Sequence, residues 1–138
     1  MKKRILFPSD PSRLAAIRSE TRTFLSACGF DGSSEELMVL ALDEACTNII
    51  RHAYAHACKP VRLEMCRTFD RVRFVLRDYG HSCDPEKIRG RALEDIRPGG
   101  LGVHIIRQAF DHVDYAPQRR GTKLTLEKRL PGQNEPGN

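Results

Sequence analysis

A chain of 138 residues, 40% of them apolar, is long enough for one domain with a single core and too apolar for a disordered segment. No apolar run approaches the length that spans a bilayer, and the opening MKKRILFPSD has too few apolar residues for a secretory signal, so a cytoplasmic protein is expected. The net charge of +5 and pI of about 9.1 suit acidic partners, nucleotides or nucleic acid, or a merely solvated basic surface; five scattered cysteines without a C-x-x-C pair speak against a zinc site or a disulfide framework.

The stretch KRILF (3–7) reads as a first strand. A helix follows over 9–28, capped by Ser9 or Asp10, with Pro11 in its first turn and Gly29 as its stop. Leu14, Ile17, Thr21, Phe24, Leu25 and Cys28 form its inner stripe, and Arg18 and Arg22 share an outer face. Ser33 and Glu36 have capping-box spacing, so a second helix is expected from Ser33 to about residue 57, before Pro60. Met38, Leu42, Ala45, Ile49 and Ala53 make one apolar line along it. A neighbouring line begins apolar at Leu37 and Ala41 and then turns polar at Glu44, Asn48 and Arg51, which places that trio at the rim of the core.

Val61, Leu63 and Met65, then Val72, Phe74 and Leu76, alternate with polar residues; they predict two half-buried strands joined as a hairpin near Asp70. The stretch 79–100 reads as a long loop with a turn of helix around 84–91. GLGVHIIRQAF should open a third helix with Val103, Ile106 and Phe110 inward. HVDYAP and GTKLTLEKRL read as a closing strand pair, and residues 131–138 as a disordered tail after a domain over 1–130. The order β-α-α-β-β-loop-α-β-β implies an α+β, two-layer sandwich.

Several residues carry chemistry. Glycines in GGLG (99–102) at a helix start let backbone N–H groups approach a phosphate, although such glycines also punctuate ordinary loops. Asp78 in RDYG ends an alternating strand, where a carboxylate can accept a hydrogen bond from an exocyclic amine or merely serve the turn. Glu44 and Asn48 lie one helical turn apart. An amide oxygen suits Mg²⁺, and a carboxylate beside it can take a proton from a hydroxyl. The plain alternative is a satisfied polar rim in which Glu44 pairs with Arg51.

In chain order these are E-x-x-x-N on a helix, D-x-G after a strand, a loop, G-x-G opening a helix, and Gly-Thr leading a strand. The series resembles the GHKL nucleotide-binding superfamily of gyrase, heat-shock chaperone ATPases, histidine kinases and mismatch-repair ATPases. Within it, LDEACTNIIRHAY, LRDYGHSCDPEKI, EDIRPGGLGVHIIRQAFDHVDY and GTKLTLEKRL look like the small bacterial anti-sigma factor serine/threonine kinases, over residues from about 5 to 130. The resemblance implies a Bergerat-type sandwich with a mixed, mostly antiparallel sheet and helices on one face. It implies Glu44 as general base, Asn48 as magnesium ligand and Arg51 as a phosphate contact. It further implies Asp78 and Thr122 on adenine with Gly80 beside the base, and Gly100, Leu101 and Gly102 beside the phosphates. His52 reads as structural. Ser82 stands where many relatives have a second glycine, the loop from His81 to Pro98 is short, and Ile49 stands where relatives often have a small residue.

By the same resemblance the cofactors are ATP and Mg²⁺. The activity is transfer of the γ-phosphate to a serine of an anti-anti-sigma (STAS-type) antagonist. A second partner is an RNA polymerase sigma factor held inactive, with Arg18 as the candidate contact. A homodimer is possible within the family; neither a membrane nor direct nucleic-acid binding is expected. Two rivals stay open: a nucleotide-binding regulatory module without transfer, and a detached histidine-kinase catalytic domain.

Overall fold

Two periodicities, one of two residues and one of about 3.6, decide which surfaces meet. The computed structural model describes residues 1–53, 59–80 and 101–132. Its strands are β1 (Lys2–Pro8), β2 (Pro60–Arg67), β3 (Arg71–Asp78), β4 (His112–Pro117) and β5 (Thr122–Arg129). They form one sheet in the order β1-β2-β3-β5-β4, each neighbour antiparallel to the next. The β2–β3 hairpin runs in register from Val61↔Asp78 to Arg67↔Val72, and the Thr68 N–H closes the turn by donating to the Arg71 carbonyl at 2.8 Å.

Alternation holds as expected. Val61, Leu63, Met65, Val72, Phe74, Leu76, Leu124 and Leu126 are buried on one face. The reverse face carries Arg62, Glu64, Arg73, Arg77 and Glu127. Glu127 accepts from Arg73 at 2.6 Å and Arg71 at 3.2 Å, and these guanidiniums, Arg73 foremost, hold its carboxyl below the usual range. Such exposed networks contribute little stability each, about 0–1 kcal/mol.

The helices cover the apolar face. A single 3₁₀ turn, Pro11–Arg13, starts the first; the Asp10 carboxylate accepts from the Ser12 N–H at 3.0 Å. Then come α1 (Leu14–Ala27), α2 (Gly32–Asn48) and α3 (Leu101–Ala109), with α2 packed against both α1 and α3. The expected stripe of α1 is buried at Ile17, Thr21, Phe24, Leu25 and Cys28. Thr21 is satisfied inside the helix, its hydroxyl donating to the Ile17 carbonyl at 2.8 Å. Phe24 of α1, Phe74 of β3 and Phe110 after α3 stack edge to face, with centroids 6.1 and 5.8 Å apart, and lock the helices to the central strand.

The start of α2 differs from expectation. It begins at Gly32 behind Asp31, and no side chain caps it. The Ser33–Glu36 box does not form because its acid is drawn to α1: Glu36 accepts from Arg22 at 3.2 Å, and Glu35 accepts from Ser26 at 3.3 Å. The helix also leaves α-geometry after Asn48 and widens into π winding over Ile49–Ala53. The expected helix end beyond residue 53, the 84–91 turn, Ser82, Gly100 and the tail from residue 133 lie outside the described residues. Among the described residues no helix is long and apolar enough to cross a membrane.

Candidate functional site

The alternation V-x-F-x-L-x-D places Asp78 on the buried face of β3, in line with Phe74 and Leu76, and only 2% of it is exposed. A carboxylate there needs donors. Thr122 Oγ1 donates to Oδ2 at 2.6 Å, and the Gly80 N–H donates to Oδ1 at 3.1 Å. The structure thus joins three residues expected at the adenine end: Asp78, Gly80 and Thr122. Both partners are neutral, and among the described residues no cation pairs with Asp78. A carboxylate has about four lone-pair positions, so capacity remains for an external amine.

The approach of Thr122 depends on its neighbour. Gly121 has φ +73°, and a Cβ there would collide with the carbonyl and carboxylate of Asp78. Only glycine fits. Gly121→Ala is expected to cost about 1–2 kcal/mol from backbone conformation alone and to push Asp78 away from Thr122. Thermal melting would show the first effect, and nucleotide titration would show the second as weaker binding.

Tyr115 lies on the inner side of β4, two strands from Asp78. Burial pushes its hydroxyl well up; the charge of Asp78 adds to this, and Arg107 of α3 opposes it. The phenol therefore stays protonated at ordinary pH, close enough to Asp78 to respond to its charge.

On the covering layer, Asn48 is the last residue of α2 and is 8% exposed. Among the described residues it is the one whose buried side-chain nitrogen and oxygen both lack a hydrogen-bond partner. Leaving such an amide unpaired costs about 1–3 kcal/mol, which a bound group at this position would recover. An amide oxygen is a hard donor, and Mg²⁺ takes one or two such protein ligands while keeping waters and substrate phosphates. The residues present therefore fit a magnesium ion held mainly by nucleotide. They do not fit a cage built by protein: among the described residues no group of three His, Cys, Asp or Glu side chains converges.

Glu44, one turn before Asn48, is half-buried, and Arg51 is exposed in the π winding. Among the described residues no ion pair joins Glu44 to Arg51. Arg18 is tied down, its Nη1 2.8 Å from Asp43 Oδ1, so α1 and α2 are bridged next to Glu44. Leu101 and Gly102 open α3, while Gly100 lies outside the described residues. Sequence reasoning missed Tyr115 and Arg77, and it took Gly121 only as part of the Gly-Thr pair that leads a strand, without a role of its own. The inward position of Tyr115 was open to the same alternation that places Val113; the roles of Gly121 and Arg77 depend on register across the sheet.

Comparison with known proteins bears on the family and the fold. Residues 7–128 match the family model described as the Histidine kinase-like ATPase domain. The chain is similar to serine-protein kinase RsbW of Bacillus cereus (strain AH187), at 27% identity over 77% of this chain and 71% of that protein. It is similar to the protein of the same name from Bacillus velezensis, at 24% identity over 91% of this chain and 84% of that one. Among solved structures, the RsbU and RsbW domains of a Mycobacterium tuberculosis protein superpose with a TM-score of 0.71 at 20% identity, over 94% of this chain. The histidine kinase domain of an Erythrobacter litoralis blue-light activated kinase superposes at 0.58 and 19% identity, over 91% of this chain. At those identities the two structures speak for the fold alone, and this chain spans 32% and 63% of theirs. A sheet and helix layer that superpose this way, under a family match running from Phe7 to Lys128, lead to one assignment: the chain belongs to the Histidine kinase-like ATPase domain family.

Proposed function

We propose that the chain is an ATP-dependent serine/threonine protein kinase that also acts as an anti-sigma factor. The observation that carries the reading is the buried amide of Asn48, without a hydrogen-bond partner among the described residues, one turn after the half-buried carboxylate of Glu44. The likeness to proteins named serine-protein kinase supports the reaction class.

In this reading Asp78, backed by Thr122 and Gly80, receives the exocyclic amine of adenine. Asn48 holds magnesium, which when bound neutralises charge on the phosphates. Arg51 and the start of α3, with Gly100, Leu101 and Gly102, serve the phosphate chain. Glu44 takes the hydroxyl proton of an incoming serine as its oxygen attacks the γ-phosphorus. The bond to the β,γ-bridging oxygen breaks, and ADP leaves. Positioning and charge neutralisation supply most of the rate in such transfers.

The acceptor is a small anti-anti-sigma antagonist of STAS type, and the competing partner is an RNA polymerase sigma factor. Arg18 of α1, held against Asp43 of α2, is the residue proposed to meet an acidic sigma surface, and the homodimer usual in the family is carried over to this chain. Phosphate on the antagonist adds charge at its interface and weakens its hold.

The test is transfer from γ-labelled ATP to a purified STAS-type antagonist. An acid-stable, serine-borne label is expected. An acid-labile product would favour phosphohistidine chemistry, and unlabelled antagonist with intact ATP binding would favour a regulatory module without transfer.

A further inference from the structure

The ladder between β3 and β5 ends at Arg77↔Lys123, one residue short of the pair that forms the adenine end of the site. Asp78 and Thr122 therefore meet where sheet hydrogen bonding has stopped. Antiparallel strands twist and separate past their last rung, yet here the two side chains close to 2.6 Å. Something must pin the strand ends together.

Arg77 does so from the opposite face of the sheet. Alternation points its side chain away from the helices, where it is half-buried. Its Nη1 donates to the Asp78 carbonyl, to the Arg120 carbonyl at 2.8 Å and to the Thr122 carbonyl at 3.3 Å. Arg120 belongs to the β4–β5 turn, which Gln118 N–H closes onto the Gly121 carbonyl at 3.1 Å. One guanidinium nitrogen thus gathers the end of β3, the turn, and the start of β5. The guanidinium also lies 4.3 Å over the Tyr79 ring, which fixes its plane. A lysine ammonium is a compact point charge and lacks a planar group to stack in this way.

We infer that Arg77 is a positioning residue for base selectivity: from behind the sheet it sets where the Asp78 carboxylate sits, and so how well the site tells a 6-aminopurine from one without that amine. This rests on the proposed reading that Asp78 receives the adenine amine. Arg77 touches neither base nor phosphate, so its effect is confined to the hydrogen bond that Asp78 makes. Of its three carbonyl contacts the one with Arg120 is exposed and the other two are part-buried, and none belongs to the apolar core, so removal is expected to leave the fold standing.

The test measures dissociation constants for ATP and for purine ribonucleoside triphosphate, which lacks the 6-amino group, in the wild-type chain, Arg77→Met and Arg77→Lys. Wild type should prefer ATP. Arg77→Met should weaken ATP about 3- to 10-fold and leave the analogue unchanged, so that the preference shrinks; Arg77→Lys should fall between. Melting curves report folding, and if Arg77→Met does not fold, Arg77→Lys alone decides. Equal weakening of both nucleotides, or a preserved preference, would overturn the positioning role while leaving the kinase reading intact. A wild-type chain that binds ATP without preferring it over the analogue would overturn both the Asp78 assignment and this one.

Discussion

Glu44→Gln should keep ATP binding within about 2-fold while single-turnover transfer to the antagonist falls about 10²- to 10⁴-fold, the usual worth of a general base. The substitution keeps the volume and both heavy-atom positions of the side-chain head but replaces a proton acceptor with an amide. Glu44 is half-buried, and no ion pair among the described residues depends on it. Stability should therefore change by no more than about 0.5 kcal/mol, the range of a substitution that breaks no described bond. Loss of transfer with melting and binding intact assigns the carboxylate to the chemical step. Transfer at the wild-type rate would remove it from that step and favour catalysis by positioning alone.

Asp78→Asn should weaken ATP about 10- to 100-fold, the cost of losing a charged hydrogen bond and leaving its partner unmet. The fold should survive. Asparagine can keep its oxygen toward the Gly80 N–H and turn its amide toward Thr122, whose hydroxyl accepts as readily as it donates. It keeps one acceptor oxygen where aspartate has two, and puts an N–H₂ group in place of Oδ2. An adenine amine that bonded Oδ2 then faces donors. A 6-oxopurine presents an acceptor at the same place, so inosine triphosphate should gain on ATP in this variant. Competition between the two nucleotides measures the swap directly. Equal losses for both would point to a damaged fold rather than a reversed hydrogen bond.

Much of this site was readable because it follows regular periods. The inner stripe of α1 is a 3.6-residue pattern that the packing preserves from Ile17 to Cys28. The inward position of Asp78 is the last beat of a two-residue pattern that starts at Val72. Asn48 falls on the line that begins with Leu37 and Ala41, and its burial follows from that line.

The misreadings arose where distant residues compete with local signals. The spacing of Ser33 and Glu36 is that of a capping box, but Arg22, 14 residues away, takes the glutamate. The apolar pattern continues through Ile49 and Ile50, so nothing local announces the change to π winding that follows Asn48. Such windings are frequent at functional sites, where they re-aim a side chain at some cost in helix geometry. Arg77 looks ordinary in sequence, and Gly121 reads only as the start of a strand. Their importance arises only when register carries residues 120–122 beside Asp78, a contact 43 residues apart along the chain for Arg77 and Arg120. Arg18 reads as a solvated cation on an outer face; Asp43, 25 residues on, makes it a bridge between two helices.

In the proposed function the sheet end at Asp78 and the last α-helical residue of α2, Asn48, serve one magnesium-bound adenine nucleotide. Calorimetric titration of the full chain with Mg·ATP tests it most directly, at two temperatures so that a vanishing enthalpy is not mistaken for absent binding. Saturable heat at one nucleotide per chain is expected, weakened when magnesium is chelated and weakened again in Asp78→Asn. No saturable heat at either temperature, or binding indifferent to both the metal and Asp78, would contradict it.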